Sequence, residues 1–145
     1  MPLPEPAPGL VVCYEYLWRH EHDRGREEAQ KARPCVVVMA TRREAEGLVV
    51  IVAPITHRLP ADRVRAVAIP AATKARLGLN AEQSWVITDE VNRFIWPGAD
   101  LRPISRQRPS RFDFGMLPPR LFREIRDQIV ARARAQQLRV TPRSA

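Results

Sequence analysis

Arg33-Pro34-Cys35-Val36-Val37-Val38-Met39-Ala40, followed by Thr41 to Gly47 and then Leu48-Val49-Val50-Ile51-Val52-Ala53-Pro54-Ile55-Thr56, is the stretch that decides the fold. Two apolar runs of strand length, dense in β-branched residues, flank a charged turn, and such density favours strand over helix. Pro34 suits the first position of a strand, where a missing N–H is tolerated. The expected strands are Cys35 to Ala40 and Leu48 to Ala53, with Glu44-Ala45-Glu46-Gly47 as the turn. Residues capable of chemistry bracket the pair: Glu28 and Arg33 lead in, and Thr56 and His57 lead out. The two strands are expected to hold Arg33 and Thr56 toward one site.

Working outward, Gly9 to Tyr16 reads as a first strand. The charged segment Trp18 to Ala32, with His20, His22 and Arg24-Gly25-Arg26-Glu27-Glu28, reads as a long exposed loop; loops of this length in compact domains tend to carry function. Beyond Thr56, the expected elements are a strand at Ala66-Val67-Ala68-Ile69, a short helix from Pro70 to Leu77 stopped by Gly78, and strand segments at Ser84 to Thr88 and Asn92 to Trp96. Ile104 to Met116 is an arginine-, serine- and proline-rich loop or insertion. Pro118-Pro119 opens a last helix with an apolar stripe of Leu121, Phe122, Ile125, Ile129 and Ala133. Short strands, one brief helix and a terminal helix add up to a mainly β fold, a small β-barrel with a helical cap.

The chain of 145 residues fits one domain, since a chain of this size buries about two thirds of its unfolded surface around a single core. That domain is expected over residues 9–137, after a proline-rich, disordered stretch at 1–8 and before a flexible tail at 138–145. No apolar run approaches the roughly 20 residues of a membrane helix, and the first residues lack the pattern of a signal peptide, so a cytoplasmic protein is expected. Cys13 and Cys35 both sit in apolar, strand-like sequence and read as small buried thiols. Their spacing to His20 and His22 matches no zinc pattern, and neither metal nor cofactor is expected.

The net charge of +8 is unevenly placed. Residues 1–101 carry 13 basic and 13 acidic side chains, whereas residues 102–145 carry 11 arginines against Asp113, Glu124 and Asp127. Arginine forks suit phosphate oxygens, which makes Arg120, Arg123 and Arg126 candidate RNA contacts. A solvated helix face and a surface for an acidic protein partner explain the same charge, and composition leaves all three readings open.

Gly9-Leu10-Val11-Val12, Arg33-Pro34 with its apolar strand, Pro54-Ile55-Thr56, Asp89-Glu90-Val91 and the helix from Pro119 resemble, in order and spacing, the PemK/MazF toxins of bacterial toxin–antitoxin systems. The similarity spans about residues 9 to 135. The resemblance implies an SH3-like barrel, a homodimer that inhibits growth by metal-independent cleavage of single-stranded RNA, and an antitoxin protein as partner. It implies active-site roles for Arg33 and Thr56, an acidic group at Glu28, and a further acidic residue at Asp89. RNA cleavage without a metal needs a base for the 2′-OH proton, an acid for the departing oxygen and donors for a crowded anionic phosphorane. Arg33 suits charge stabilisation, Thr56 can donate to a phosphate oxygen, and Glu28 or a histidine (His20, His22 or His57) can serve as the base. More ordinary roles are an ion pair for Arg33, a turn cap for Thr56 and core packing for Trp85 and Trp96. The competing reading is a non-catalytic barrel of the same kind, which binds a protein target such as gyrase, or binds RNA without cutting it.

Overall fold

The structure, a computed structural model, describes residues 3–25, 31–80, 82–105 and 111–143. The expected strand pair is present and longer at both ends. After β1 (Leu10–Tyr14) and a short helix α1 (Arg19–Asp23), strand β2 runs over Arg33–Arg43 and β3 over Gly47–Thr56. They pair antiparallel from Cys35 opposite Pro54 to Arg43 opposite Gly47, with one register shift between Val37 and Met39. The charged sequence before Arg33 is therefore partly helical. Its continuation at residues 26–30, Glu28 included, lies outside the described residues.

Strands β4 (Ala66–Ala68), β5 (Trp85–Ile87), β6 (Glu90–Ile95), β7 (Asp113–Met116) and β8 (Arg139–Pro142) complete the sheet, together with helices α2 (Ala71–Leu77) and α3 (Pro119–Arg134). The main path is β4-β5-β3-β2-β1-β7, and β6 branches from β3 to reach β8. Strand β3 divides its edge: Val49 to Val52 pair with β6, and Ile55 and Thr56 pair with β5. The result is barrel-like, mainly antiparallel and not closed, with α3 as its C-terminal helix.

Side chains alternate between two cores, one on each face of the central strands. Val11, Val36, Ala53, Ile55 and Val86 form the first with Leu77 of α2 and Leu121, Ile125 and Ile129 of α3. Val12, Tyr14, Tyr16, Cys35, Val37, Val50, Val52 and Phe94 form the second, with Trp18 and Trp96 packed on it. Burial on both faces explains why β2 and β3 read as continuous apolar runs rather than alternating ones. Cys13 and Cys35 are buried free thiols, and Trp85 is buried too. Gly78 ends α2 at φ 74°, the left-handed conformation that glycine adopts without strain.

Three expectations are corrected. The region from Ile104 to Met116 contains a four-residue strand, β7, of which Asp113, Gly115 and Met116 pair with β1 across a register shift, so no apolar run announced it. The expected flexible tail contains β8, which pairs in parallel with β6, Val91 opposite Val140 and Asn92 opposite Thr141. Arg143 fastens its end: Nη1 donates to the Glu15 carbonyl at 2.9 Å, and Nη2 lies 3.1 Å from Asp100 Oδ2. Ala133, assigned to the apolar stripe of the last helix, is exposed, because α3 leaves the core after Ile129.

One polar side chain ties the sheet to the segment that follows β1. Asn92, fully buried, accepts from the Leu17 N–H and donates to the Leu17 carbonyl, both at 2.9 Å. Asn92→Leu keeps the volume and strands both backbone groups, each at a cost of about 1–3 kcal/mol. A loss of roughly 2–6 kcal/mol in urea unfolding is therefore expected, and wild-type stability would show that the clamp contributes nothing.

Candidate active site

Two of the sequence-derived residues stand at strand ends, Arg33 at the start of β2 and Thr56 at the end of β3. The β2–β3 ladder ends at the Cys35–Pro54 pair; Arg33 lies two residues before it on β2, and Thr56 lies two residues beyond it on β3, where that strand pairs with β5, Thr56 opposite Trp85. Both are half-buried, and both fall on the face that carries Cys35, Val37 and Val52. On its other side, Arg33 pairs with Tyr14 of β1.

Arg33 is held by an aromatic surface. Its guanidinium carbon stands 4.9 Å from the centre of the Trp18 ring, within the range where a cation is attracted to the ring face. Its Nε is buried and has no hydrogen-bond partner among the described residues. An unpartnered charged donor is costly in isolation and is readily satisfied by an anionic oxygen. Thr56 is also prearranged: its Oγ1 accepts the Arg58 N–H at 3.1 Å. That bond caps the turn after β3, as the ordinary reading expects. It also leaves the hydroxyl hydrogen free to donate elsewhere.

Trp18 owes its position to a chain of contacts that the sequence did not disclose. Leu17 is clamped by Asn92, and Trp18 packs edge-on against Tyr16, ring centres 5.1 Å apart. The Trp18 N–H donates to Glu21 Oε1 at 3.3 Å in the first turn of α1. Glu90, on β6, fixes this corner from below. Its Oε1 accepts the Tyr16 hydroxyl at 2.9 Å and the Arg19 N–H at 3.0 Å.

The remaining candidates are dispersed. His57 is half exposed and pairs with Glu82, Nε2 to Oε2 3.4 Å. It lines a depression of about 50 Å³ with Pro34, Ile55 and Ser84, residues of the strand face opposite to that of Arg33 and Thr56. Asp89 receives Arg65 Nη1 at 3.3 Å, and its carbonyl receives the Arg139 N–H; no contact joins it to Arg33 or Thr56 among the described residues. On α1, His20 is exposed, and His22 Nδ1 stands 3.8 Å from Asp23 Oδ1. Arg120, Arg123 and Arg126 are exposed on α3, whose apolar side packs into the first core, across the sheet from Arg33. Glu28 lies outside the described residues.

Such a small, open, helix-capped and mainly antiparallel sheet defines a class of compact β proteins. The PemK-like, MazF-like toxins of type II toxin–antitoxin systems match the chain over residues 16–95, and the chain belongs to that family. Membership brings toxin function and an antitoxin partner. No curated protein matches the sequence. No helix among the described residues is long and apolar enough to cross a membrane.

The Glu90 corner has a pH signature. Burial raises the Glu90 carboxyl above its ordinary value of 4.5, more than the Arg19 N–H and Tyr16 hydroxyl bonds lower it. The folded protein then holds this proton more tightly than the unfolded chain, so the contribution to stability falls as pH rises from 4.5 through the raised value. Glu90→Gln keeps an acceptor oxygen and removes the titration. Its melting temperature is expected to decline less than wild type over that interval, and parallel curves would place the proton elsewhere.

Proposed function

We propose that this toxin is a metal-independent endoribonuclease that cuts single-stranded RNA, with Arg33 and Thr56 as its catalytic pair. The observation that supports this most is the Arg33 guanidinium, held over the Trp18 ring at the start of β2 with an Nε that has no hydrogen-bond partner among the described residues, while Thr56 ends the neighbouring strand β3.

The chemistry follows from the substrate. The ribose 2′-OH is the nucleophile, so its oxygen attacks the adjacent phosphorus while a base takes its proton. The bond from phosphorus to the 5′ oxygen breaks, and an acid protonates that oxygen. The products are a 2′,3′-cyclic phosphate and a 5′-hydroxyl. Between them lies a phosphorane with extra negative charge on its non-bridging oxygens. The Arg33 guanidinium is assigned to those oxygens as a charged donor, and Thr56 Oγ1 as a further donor. Positioning matters as much as charge, and the Trp18 face limits the arginine to one plane.

Glu28, five residues before Arg33, is our choice of base. His57 is the less favoured one, because its companions Pro34 and Ile55 belong to the other strand face. Asp89, engaged with Arg65, and His20 and His22 on α1 are assigned no step. Arg120, Arg123 and Arg126 are assigned to long-range attraction and to phosphates flanking the cut. Action in the cytoplasm as a homodimer, with cleavage checked by the antitoxin, completes the reading; family membership supports it.

The test is incubation of the purified protein with single-stranded RNA in EDTA. Fragments ending in a 2′,3′-cyclic phosphate are expected. Arg33→Ala should slow their appearance on the order of 10²- to 10³-fold. Thr56→Val should also lose activity, and Thr56→Ser, which restores the hydroxyl, should recover it. Intact RNA that the protein nonetheless binds would sink the enzyme and favour a binding toxin of the gyrase-poison kind. In the same preparation, reversing Arg120 and Arg123 should flatten the salt dependence of RNA affinity. An unchanged slope would assign those arginines to a protein partner.

A further inference from the structure

A groove of about 730 Å³ lies along α2 beside the end of β4; Ala68, Ile69, Ala71, Ala75 and Leu79 form its apolar walls, and Lys74, Asn80 and Glu82 are among its polar groups. Its size is that of a small-molecule site, apolar with few polar groups. The helix face that lines it explains the space. Ala71, Lys74 and Ala75 stand three and four positions apart, on one side of α2, and two methyl groups flank one long cationic side chain.

That cation is unusual. Lys74 is only 5 % exposed, and its Nζ makes one hydrogen bond among the described residues, to Asn80 Oδ1 at 3.2 Å. An ammonium carries three donors, and a buried one left short of partners opposes folding. Burial accordingly lowers the Lys74 pKa, and the charge of Glu82 offsets this in part. Glu82, which also lines the groove, is mostly exposed, and its Oε2 lies 3.4 Å from His57 Nε2. Asn80 Oδ1 also accepts the Glu82 N–H at 3.1 Å, which commits the amide oxygen to two donors and leaves its NH₂ to donate. Ammonium and amide together offer donors for the two oxygens of one carboxylate at the edge of an apolar groove.

We propose that this groove binds a small organic acid, its carboxylate on Lys74 and Asn80 and its aliphatic or aromatic tail along Ala71, Ala75, Ile69 and Leu79. Leu79 and Asn80 also line the depression beside His57, so a bound acid touches the loop that carries Glu82 to that histidine. The site is separate from Arg33 and Thr56 and does not depend on RNA cleavage.

Titration of the isotope-labelled full chain with octanoate and with 4-phenylbutyrate, followed by NMR, tests the assignment. Saturable shifts are expected at the Lys74 side chain and at the Ala71 and Ala75 methyls. The neutral amides of the same acids should bind about tenfold more weakly or worse. Lys74→Met should remove the preference for acid over amide. Ala75→Phe, on an exposed wall position that leaves Lys74 in place, should block both ligands and guards against a Lys74 variant that fails to fold. Acid and amide of equal affinity, shifts that spread over the surface without saturating, or no shift at millimolar acid would each overturn the proposal. Binding of an acidic peptide where no small acid binds would overturn it too, and would make the groove a protein-docking surface.

Discussion

Asn92 is the constraint on which the polar end of this molecule depends. Its side chain answers the N–H and the carbonyl of Leu17 at once, both at 2.9 Å, in a place where water is excluded. A backbone that has just left β1 is thereby held against β6, and the next residue, Trp18, is set where Arg33 begins β2. Without that clamp, two buried backbone groups would lack partners, and the aromatic surface under Arg33 would be fixed only by its contacts with Tyr16 and α1. The two cores are strong but non-directional; the clamp supplies the direction.

The sheet separates charge as well as packing. Arg33 and Thr56 belong to the Trp18 side, whereas α2 and α3 cover the other, where the excess positive charge of the helix and the Lys74 groove are found. In the function we propose, the basic helix draws in an anionic chain from a distance while the chemistry stays on the Trp18 side. Strand β3 is shared between β6 and β5, so that its end, Thr56, pairs with β5 rather than with β2.

Much of this was legible in the sequence because the strong signals were local. The apolar runs at Cys35 to Ala40 and Leu48 to Ala53, Gly78 after its helix and the Leu121, Ile125, Ile129 stripe each follow from period or turn chemistry, and the structure contains each element. Strands β7 and β8 escaped because they are four residues long, lack an apolar run, and form by pairing with distant partners, which no local pattern encodes. Arg33 and Thr56 were visible as strand-end residues, and they stand at the ends of β2 and β3 in the structure. Trp18 and Asn92 were not. A tryptophan before a charged loop and an asparagine inside a strand carry no signal until residues some 75 positions apart are folded together. Asp89 and His57 attracted notice for their chemistry, and folding gave them Arg65 and Glu82 as partners instead.

The central claim is that Arg33, over the Trp18 ring with an Nε–H that has no partner among the described residues, is the group that meets a phosphate of single-stranded nucleic acid. It is tested most directly by following the Arg33 Nε–H resonance while single-stranded DNA of mixed sequence, which lacks the 2′-OH and is not cut, is added. A large, saturable shift of Arg33 that tracks binding is predicted, with the arginines of α3 shifting less and in a salt-sensitive way. Binding that leaves the Arg33 resonance unmoved would contradict the account.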